Sequence, residues 1–254
     1  TCYFPHITED GKSRRVYAVC IIDDHSRMIV GAELFYHDSA AGFQKVLKDA
    51  VSTYMLPSKL LVDNGAPYSN EQLSLICGTI GISLIHTRVR DGASKGKCER
   101  FWRTAKERLI YGLDMDCIHS LEQFNTIFRD FIREYNLTFH SGIQATPFDR
   151  YQASADQAKP IPSREWLDEC FLNRVIRKVR KDATVSIDSV SYDVPMQFIG
   201  MKVEIRFLPS DMSSAFILYD KSHFPIRKTD RNENCRTKRN NLPGVSYARI
   251  GGDA

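Results

Sequence analysis

The stretch VYAVCIIDDHSRMIVGAELF, residues 16–35, holds two apolar runs on either side of a short polar segment. The run VYAVCIID is rich in β-branched residues, and MIVGAELF follows it after the polar residues DHSR. Two such runs joined by a few turn-forming residues predict an antiparallel β-hairpin. The rest of the fold is predicted outward from this hairpin.

Helix and strand signals alternate after the hairpin. Helices are predicted over residues 40–54, 70–81, 94–109 and 121–135, and short strands over KLLVDNG and SLIHT. Early antiparallel strands followed by alternating helix and strand indicate an α/β domain, with a mixed sheet flanked by helices. This domain is predicted to extend over residues 1–150.

The pattern changes in the last third of the chain. Residues 151–172 are polar and are interrupted by Pro160 and Pro162, which predicts a linker. Residues 173–228 hold short alternating runs such as MKVEIRF, separated by turn residues, which predicts a small all-β barrel with a basic outer face. Residues 229–254 lack periodicity and are predicted to form a basic flexible tail.

Composition and charge bound the class of protein. The chain has 254 residues, of which 43% are hydrophobic and 26% charged, as is typical of a globular protein with a full core. Residues 171–254 carry 15 Lys and Arg against 9 Asp and Glu, a net charge of +6. Because the whole chain carries +4, residues 1–170 carry −2. The C-terminal excess is expected where a protein meets a polyanion, although a solubilising tail would have the same composition.

The cysteines and apolar runs indicate where the chain works. Its 7 cysteines form no CxxC pair and have no zinc-site spacing to histidines, so we expect free thiols in a reduced, cytoplasmic setting. No apolar run approaches the ~20 residues that a membrane-spanning helix needs, so no membrane partner is expected. Nothing indicates a small-molecule substrate or an organic cofactor.

Two acidic residues are the candidates for chemistry. Asp63 ends the strand KLLVD, and Glu99 stands among basic residues near the start of the helix SKGKCERFWRTAKERL. The 35 residues from Asn64 to Cys98 separate them. A carboxylate at a strand exit and another on a helix packed across the sheet can converge on one cation, and hard oxygen ligands favour Mg²⁺ or Mn²⁺. An ordinary turn at Asp63 and an ordinary basic surface helix are the alternatives.

Four stretches together resemble one family. YAVCIIDDHSRMIVG, LLVDNGAPYSN, SKGKCERFWRTAKERL and EYNLTFHSGIQATPFDRY are similar, in order and spacing, to the retroviral-integrase and insertion-sequence transposase superfamily. Its ribonuclease H-like core carries an Asp, Asp, Glu triad with this 35-residue gap. Residues 181–209 resemble the β-barrel that follows the core in transposases of the phage Mu type. The likeness covers about residues 1–225.

The resemblance assigns roles to the acids. Asp63 and Glu99 match the second and third acids of the triad, as catalytic and metal-binding residues, and the complete site would hold two divalent ions. The first acid of the family precedes a segment like TCYFPHI, which places it directly upstream of Thr1. Asp23 and Asp24 end the second strand and are expected to shape its turn, with replacement of the first acid as the less favoured role. A helix-turn-helix module is expected upstream.

The resemblance also implies DNA as the partner, both as element ends and as target, with a homo-multimer assembled on it. Glu99, Arg103 and Lys106 share one helical face, so the cations would lie along the substrate backbone. Pairing of Arg103 with Glu99 or Glu107 is the alternative, and Phe101 and Trp102 are expected in the core. The candidate phosphate-binding residues of the helix and the barrel are Lys95, Lys97, Arg103, Lys106, Arg174, Lys178 and Arg180.

The predicted function is metal-dependent hydrolysis of DNA phosphodiesters followed by 3′-hydroxyl strand transfer in transposition. A catalytically inactive DNA-binding fragment without the first aspartate is one alternative. A general metal-dependent nuclease, which cleaves DNA without joining a 3′-end to a target, is the other.

Overall fold

A computed structural model describes residues 1–87, 96–154, 156, 159–209 and 211–230. The described chain divides into two compact units, one from Thr1 to Asn173 and one that begins at Arg174. No helix within these ranges is long and apolar enough to cross a bilayer.

The predicted hairpin is present and is extended by a third strand. The strands are β1 (Cys2–Glu9), β2 (Lys12–Ile22) and β3 (Ile29–Phe35). They form an antiparallel sheet in the order β1-β2-β3, with Cys2 opposite Ala18 and Ala18 opposite Leu34. The segment after Thr1 therefore forms the first strand, as the resemblance implies.

Side-chain alternation along β2 divides the unit into two cores. Val16 and Ala18 point into a core that includes Phe4, Phe101 and residues of the fourth helix. Val19 points into a separate core made by the first two helices. Successive strand residues face opposite sides, so the sheet is covered by helices on both faces.

The remaining elements of the first unit follow the predicted order. They are α1 (Ala40–Tyr54), β4 (Lys59–Val62), α2 (Glu71–Ile80), β5 (Ser83–His86), α3 (Gly96–Arg108), two short 3₁₀ turns (Ile110–Gly112 and Met115–Cys117), α4 (Leu121–Leu137), α5 (Pro147–Gln152) and α6 (Arg164–Cys170). β4 and β5 pair in parallel. Helix α1 packs very closely on β3 at Gly31. A Cβ atom on this residue would lie only 2.9 Å from Cγ1 of Val46.

The segment predicted as a linker is in part integral to the core, and this corrects the domain prediction. Helix α6 begins after Ser163, whose hydroxyl accepts a hydrogen bond from the Trp166 amide, and it buries Leu167 and Cys170 in the core of α1 and α2. Phe171 joins the same core. Pro160 and Pro162 prevent a helix before Ser163. After Ser163, the apolar side chains of α6 pack against the core of α1 and α2, and this packing stabilises the helix.

The second unit is all-β, as predicted. Its strands are β6 (Asn173–Lys178), β7 (Thr184–Ile187), β8 (Val190–Asp193), β9 (Lys202–Leu208), β10 (Asp211–Tyr219), β11 (Ser222–Pro225) and β12 (Arg227–Lys228), with a 3₁₀ turn at Met196–Phe198. They form two sheets, ordered β11-β10-β9-β6 and β12-β8-β7, around one core. Val203, Ile205 and Phe207 face that core from β9, as their alternation predicts. Of the predicted tail, residues 231–254 lie outside the described part of the chain.

Two buried asparagines attach helix α4 to strand β3. Asn125 accepts a hydrogen bond from the Leu34 amide at 2.8 Å and donates to the Leu34 carbonyl at 3.2 Å. Asn136 makes the same pair of bonds with Ile29, at 2.9 and 3.0 Å. Each asparagine side chain makes, with one residue of β3, the two backbone hydrogen bonds that a neighbouring strand would otherwise make. The helix is thereby fixed in register along the sheet.

We predict that Asn125→Ala lowers the free energy of unfolding by about 1–3 kcal/mol, because it leaves the buried amide and carbonyl of Leu34 without partners. Urea unfolding followed by circular dichroism measures this change. The control is Thr126→Ala, at the next and exposed position of the same helix, with an expected change within about 0.5 kcal/mol. Equal effects of the two substitutions would contradict the role of Asn125.

Candidate active site

Asp63 follows β4 and is held by its own turn. Its Oδ1 accepts a hydrogen bond from the Gly65 amide at 2.8 Å, and a Cβ at Gly65 would stand 2.8 Å from the same oxygen. Asn64 donates to the Thr87 carbonyl at 2.9 Å, and His86 Nδ1 lies 3.2 Å from the Asp63 carbonyl oxygen. The half-buried carboxylate is therefore fixed from both β4 and β5, and the residue after Asn64 has to be glycine.

Glu99 lies in the first turn of α3 and is exposed. The same helix buries Phe101 and Ala105 in the core beneath the sheet, and Trp102 packs half-buried against that core, as expected. This packing leaves Glu99 and Arg103 on the outer face. A carboxylate in the first turn is also stabilised by the positive end of the helix dipole.

The N-terminal end of β1 contacts Tyr68, which lies five positions after Asp63. The Thr1 amine donates to the Tyr68 hydroxyl at 3.0 Å, and the Thr1 hydroxyl lies 2.7 Å from the same oxygen. The pKa of Tyr68 is raised to about 12: burial is the largest cause, the hydrogen bond from Thr1 acts in the opposite direction, and the negative charge of Asp63 adds to the rise. The phenol therefore links Thr1 to the surroundings of Asp63.

The other side of Thr1 faces helix α3. Burial raises the pKa of the Cys98 thiol, the positive charge of the Thr1 amine lowers it, and the carboxylates of Asp24 and Glu99 raise it. Coulomb effects of this kind fade over several ångströms. Glu99 and Asp24 therefore both lie near enough to Cys98 for their charges to act on its thiol.

The donor chemistry suits a hard divalent cation, but the ligand set on these residues is incomplete. Asp63 and Glu99 offer carboxylate oxygens, the ligands that Mg²⁺ and Mn²⁺ prefer. Within the described ranges, no group of three or more His, Cys, Asp or Glu is placed to hold a metal. The two acids fit such a cation in kind and require a further ligand.

Asp23 and Asp24 have other partners. Asp23 Oδ2 accepts hydrogen bonds from the Ser26 amide at 2.8 Å and the Ser26 hydroxyl at 2.6 Å, which closes the turn between β2 and β3 as expected. Asp24 forms an ion pair with Lys97, whose ammonium also donates to the Asp24 carbonyl at 3.1 Å. Lys97, predicted to bind DNA, is thus paired within the chain.

The predicted cations of α3 differ in their surroundings. Arg103 is exposed and Lys106 half-buried, and neither forms an ion pair with any residue that the structure describes. The alternative pairing of Arg103 with Glu99 or Glu107 is therefore not seen. Arg108 does pair, with Glu134 of α4. Lys95 lies outside the described residues.

The predicted cations of the second unit lie on or near its surface. Lys178 and Arg180 are exposed and Arg174 is half-buried. Arg206, also basic in the outer row of β9, is paired with Glu204 at 2.8 Å.

Sequence reasoning missed the contribution of Tyr68 and Thr1. Tyr68 lies five positions after Asp63 and is 7% exposed, so its phenol is held against the core while its hydroxyl reaches Thr1. The aromatic residue inside the otherwise polar turn APYSN was the available signal.

Comparison with known proteins identifies both units. The family model of the integrase core domain matches residues 2–91, and that of the Mu transposase C-terminal domain matches residues 168–224. The chain is therefore similar to integrase cores over its first third and to the C-terminal domain of Mu transposase over residues 168–224. Asp63 lies inside the match to the integrase core domain, and Glu99 follows its end. Integrase cores generally depend on divalent metal.

Two curated relatives are transposases. The transposase for transposon Tn552 of Staphylococcus aureus is 24% identical over 235 residues, covering 84% of this chain and 48% of the relative. The transposase for insertion sequence IS1202 of Streptococcus pneumoniae is 25% identical over 141 residues, covering 50% of this chain and 30% of the relative. The chain spans about half the length of these relatives or less.

A solved structure shares the fold. A chain in the cryo-EM structure of the simian T-cell lymphotropic virus intasome in complex with PP2A regulatory subunit B56 gamma is 16% identical, with a TM-score of 0.50. The match covers 89% of this chain and 76% of that chain. The mixed α/β fold predicted from the sequence is confirmed.

We predict that Tyr68 makes stability fall at alkaline pH. The pKa of Tyr68 is raised to about 12 in the folded chain, whereas that of an ordinary tyrosine is about 10. The contribution of neutral Tyr68 to the free energy of unfolding is therefore complete below about pH 10 and is lost as the pH rises through about 12. Tyr68→Phe should therefore make the decline of the unfolding free energy between these pH values shallower. Urea titrations at a series of pH values measure this slope.

The same measurement tests the closeness of Asp63. Because the negative charge of Asp63 raises the pKa of Tyr68, Asp63→Asn should bring that pKa closer to its unfolded value, so that the alkaline decline ends at lower pH and is smaller in the Tyr68 protein, with no such effect in Tyr68→Phe. An identical decline with and without the Asp63→Asn substitution would show that the two groups are not coupled.

Proposed function

We propose that the integrase core domain cuts and joins DNA phosphodiesters, as a transposase, with Asp63 and Glu99 as catalytic and metal-binding residues. The observation that supports the proposal is that Asp63 is held in a fixed turn and Glu99 stands on a packed helix, next to a match of residues 2–91 to the integrase core domain. Carboxylates held by rigid elements are the arrangement that phosphoryl transfer requires, since positioning and charge neutralisation supply most of the catalysis.

The register of the sheet supports a place for the third acid. Cys2 lies opposite Ala18 and Tyr3 opposite Tyr17, so a residue attached to the Thr1 nitrogen would lie opposite Cys20. Cys20 packs against the core that contains Phe101 of α3. Opposed residues share a face of the sheet, so that side chain would point toward α3 and Glu99. We propose that an acidic residue at this position completes the site.

The residues of this chain would then act as follows. Asp63, Glu99 and the third acid would hold two Mg²⁺ or Mn²⁺ ions, which when bound activate the attacking oxygen and stabilise the leaving oxygen. The Asp63 turn and the buried side of α3 keep the carboxylates in place while a DNA phosphate lies between them. Water attacks the phosphorus in line, the bond to the 3′ oxygen breaks, and a 3′-hydroxyl is freed. That hydroxyl next attacks a target phosphodiester in the same site: its oxygen bonds to the target phosphorus, the target's own phosphorus–3′ oxygen bond breaks, and the target strand leaves with a free 3′-hydroxyl.

Cations around the acids would hold the DNA backbone. Arg103 and Lys106 lie on the Glu99 side of α3 without a carboxylate partner in the described chain, so their charge is available to phosphate. Lys97 would exchange Asp24 for phosphate when DNA arrives. In the Mu transposase C-terminal domain, the exposed Lys178 and Arg180 would add affinity without reading sequence. Lys95 and Arg174 remain predicted phosphate contacts.

A multimer on DNA is part of this proposal. A transposition event joins two element ends to one target, and each end requires its own set of carboxylates. We therefore expect the protein to associate when it binds pairs of end DNA.

We predict that Asp63→Asn and Glu99→Gln each reduce nicking and strand transfer by about 100-fold or more, because loss of a metal-binding carboxylate removes several kcal/mol of transition-state stabilisation. The assay uses protein with an aspartate attached to Thr1, labelled element-end DNA, and Mg²⁺ or Mn²⁺. DNA binding should persist in both variants.

Two matched controls define the result. Glu107→Gln, an exposed acid on the same helix, should retain activity, and an asparagine in place of the aspartate before Thr1 should lose it. Full strand transfer by Asp63→Asn or Glu99→Gln would refute the assignment of the site. Binding without any joining by the unsubstituted protein would favour the inactive DNA-binding alternative, and cleavage without joining would favour a nuclease.

We predict that Arg103→Gln and Lys106→Gln each weaken DNA binding for all sequences and lower the dependence of log K on log salt by about 1, since each removes one phosphate contact. Fluorescence anisotropy over a salt series measures both quantities. Arg108→Gln is the control, because Arg108 already pairs with Glu134, and its salt slope should match the unsubstituted protein. Equal slopes for all variants would place the DNA elsewhere.

A further inference from the structure

A cluster of two tyrosines and an arginine lies on the first hairpin, two residues along β1 from Thr1. Tyr3 is 62% exposed, although the adjacent Phe4 is 4% exposed and belongs to the core. Tyr17 lies opposite Tyr3 on β2, and Arg15 lies two residues before Tyr17. We call Tyr3, Arg15 and Tyr17 the Tyr3 cluster.

The Tyr3 ring has two side-chain contacts although it faces water. Its centroid lies 5.4 Å from that of Tyr17, at an interplanar angle of 66°, and the Arg15 guanidinium carbon lies 5.7 Å from the Tyr3 centroid. Edge contact with one ring and a cation near the ring stabilise this position. Strand propensity explains a tyrosine here, but it does not explain a large exposed ring surface beside an arginine.

Arg15 adds an available positive charge. It is exposed, and no carboxylate within the described ranges forms an ion pair with it. Arg14, its neighbour in sequence, lies instead over the Tyr36 ring at 4.9 Å. The Tyr3 cluster therefore combines a flat apolar surface with an available cation, the two features that bind a base and its phosphate.

The position of the cluster relates it to the acids. Tyr3 and Thr1 are two residues apart, so their side chains point to the same face of the sheet, the face where Thr1 contacts Tyr68. Two strand residues span ~7 Å, or about two nucleotide steps of ~3.4 Å. A base one or two nucleotides from a phosphate at the end of β1 would therefore reach Tyr3.

We propose that the Tyr3 cluster binds an unstacked DNA base next to the reacting phosphate, with the base on the Tyr3 ring and its phosphate near Arg15. This inference rests on the proposed function, because it takes the reacting phosphate to lie at the end of β1. Binding there would keep the strand end open, so that the reacting phosphate enters the site singly.

The test compares DNA that carries a base at a given position with DNA that lacks a base there. Affinity is measured for element-end DNA with a frayed end, carrying either a normal base or an abasic site at each of the three nucleotides nearest the cut. Tyr3→Ala should weaken binding by about tenfold for normal DNA, a typical effect of losing one stacked base. The loss should vanish at one of the three abasic positions, because the ring then has nothing to stack on.

Other variants separate stacking from general effects. Tyr3→Phe should bind like the unsubstituted protein, since the ring remains, and Arg15→Gln should weaken binding equally for normal and abasic DNA. Tyr111→Ala is the matched control, because this tyrosine is 76% exposed and lies beyond the far end of α3. Its affinity should not change.

Two outcomes would overturn the inference. Equal losses for Tyr3→Ala on normal DNA and on all three abasic DNAs, or no loss at all, would show that Tyr3 does not stack on a base. If the unsubstituted protein joins DNA ends while Tyr3→Ala behaves like Tyr111→Ala, only this inference fails. If the unsubstituted protein neither binds nor joins DNA, the proposed function fails with it.

Discussion

The alternation of side chains along β2 is the constraint on which the rest of this structure depends. Val16 and Ala18 commit one face of the sheet to α3 and α4, and Val19 commits the other to α1 and α2. Because the strand period is two, a shift of one residue would exchange the two cores. By the same alternation, the Thr1 side chain points toward Tyr68. The side chain of a residue directly before Thr1 would point to the opposite face of the sheet, toward α3. The geometry of the candidate site is therefore inherited from hydrophobic burial in the hairpin.

The two acids are held by different means, and the difference suits their shared task. Asp63 is fixed by backbone hydrogen bonds inside its own turn, whereas Glu99 is fixed by the burial of Phe101 and Ala105 on the opposite side of α3. Like charges brought together repel each other, and this repulsion favours a divalent cation between them. Neither device depends on a ligand, so the fold itself holds the two acids. In the proposed function, such positioning in advance would lower the barrier to phosphoryl transfer.

The cations follow a related division. Lys97 and Arg108 are engaged by Asp24 and Glu134, while Arg103 on the same helix has no such partner in the described chain. The paired cations help to hold α3 against the turn after β2 and against α4. The unpaired ones leave positive potential along the exposed face. The distribution of partners, more than the number of cations, is therefore the basis on which Arg103 is proposed to contact phosphate.

Local pattern in the sequence determined much of this protein. The hairpin, the helices α1, α2 and α4, the all-β second unit and the burial of Phe101 followed from periodicity, because apolar spacing reports which face of an element is buried. The order and spacing of the acidic stretches also pointed to Asp63 and Glu99. Only the tertiary structure decided that α6 belongs to the core, that Lys97 is paired with Asp24, and that Thr1 and Tyr68 meet at the end of β1. The last two contacts join residues 73 and 67 positions apart, and no local pattern encodes which distant partner a side chain will meet.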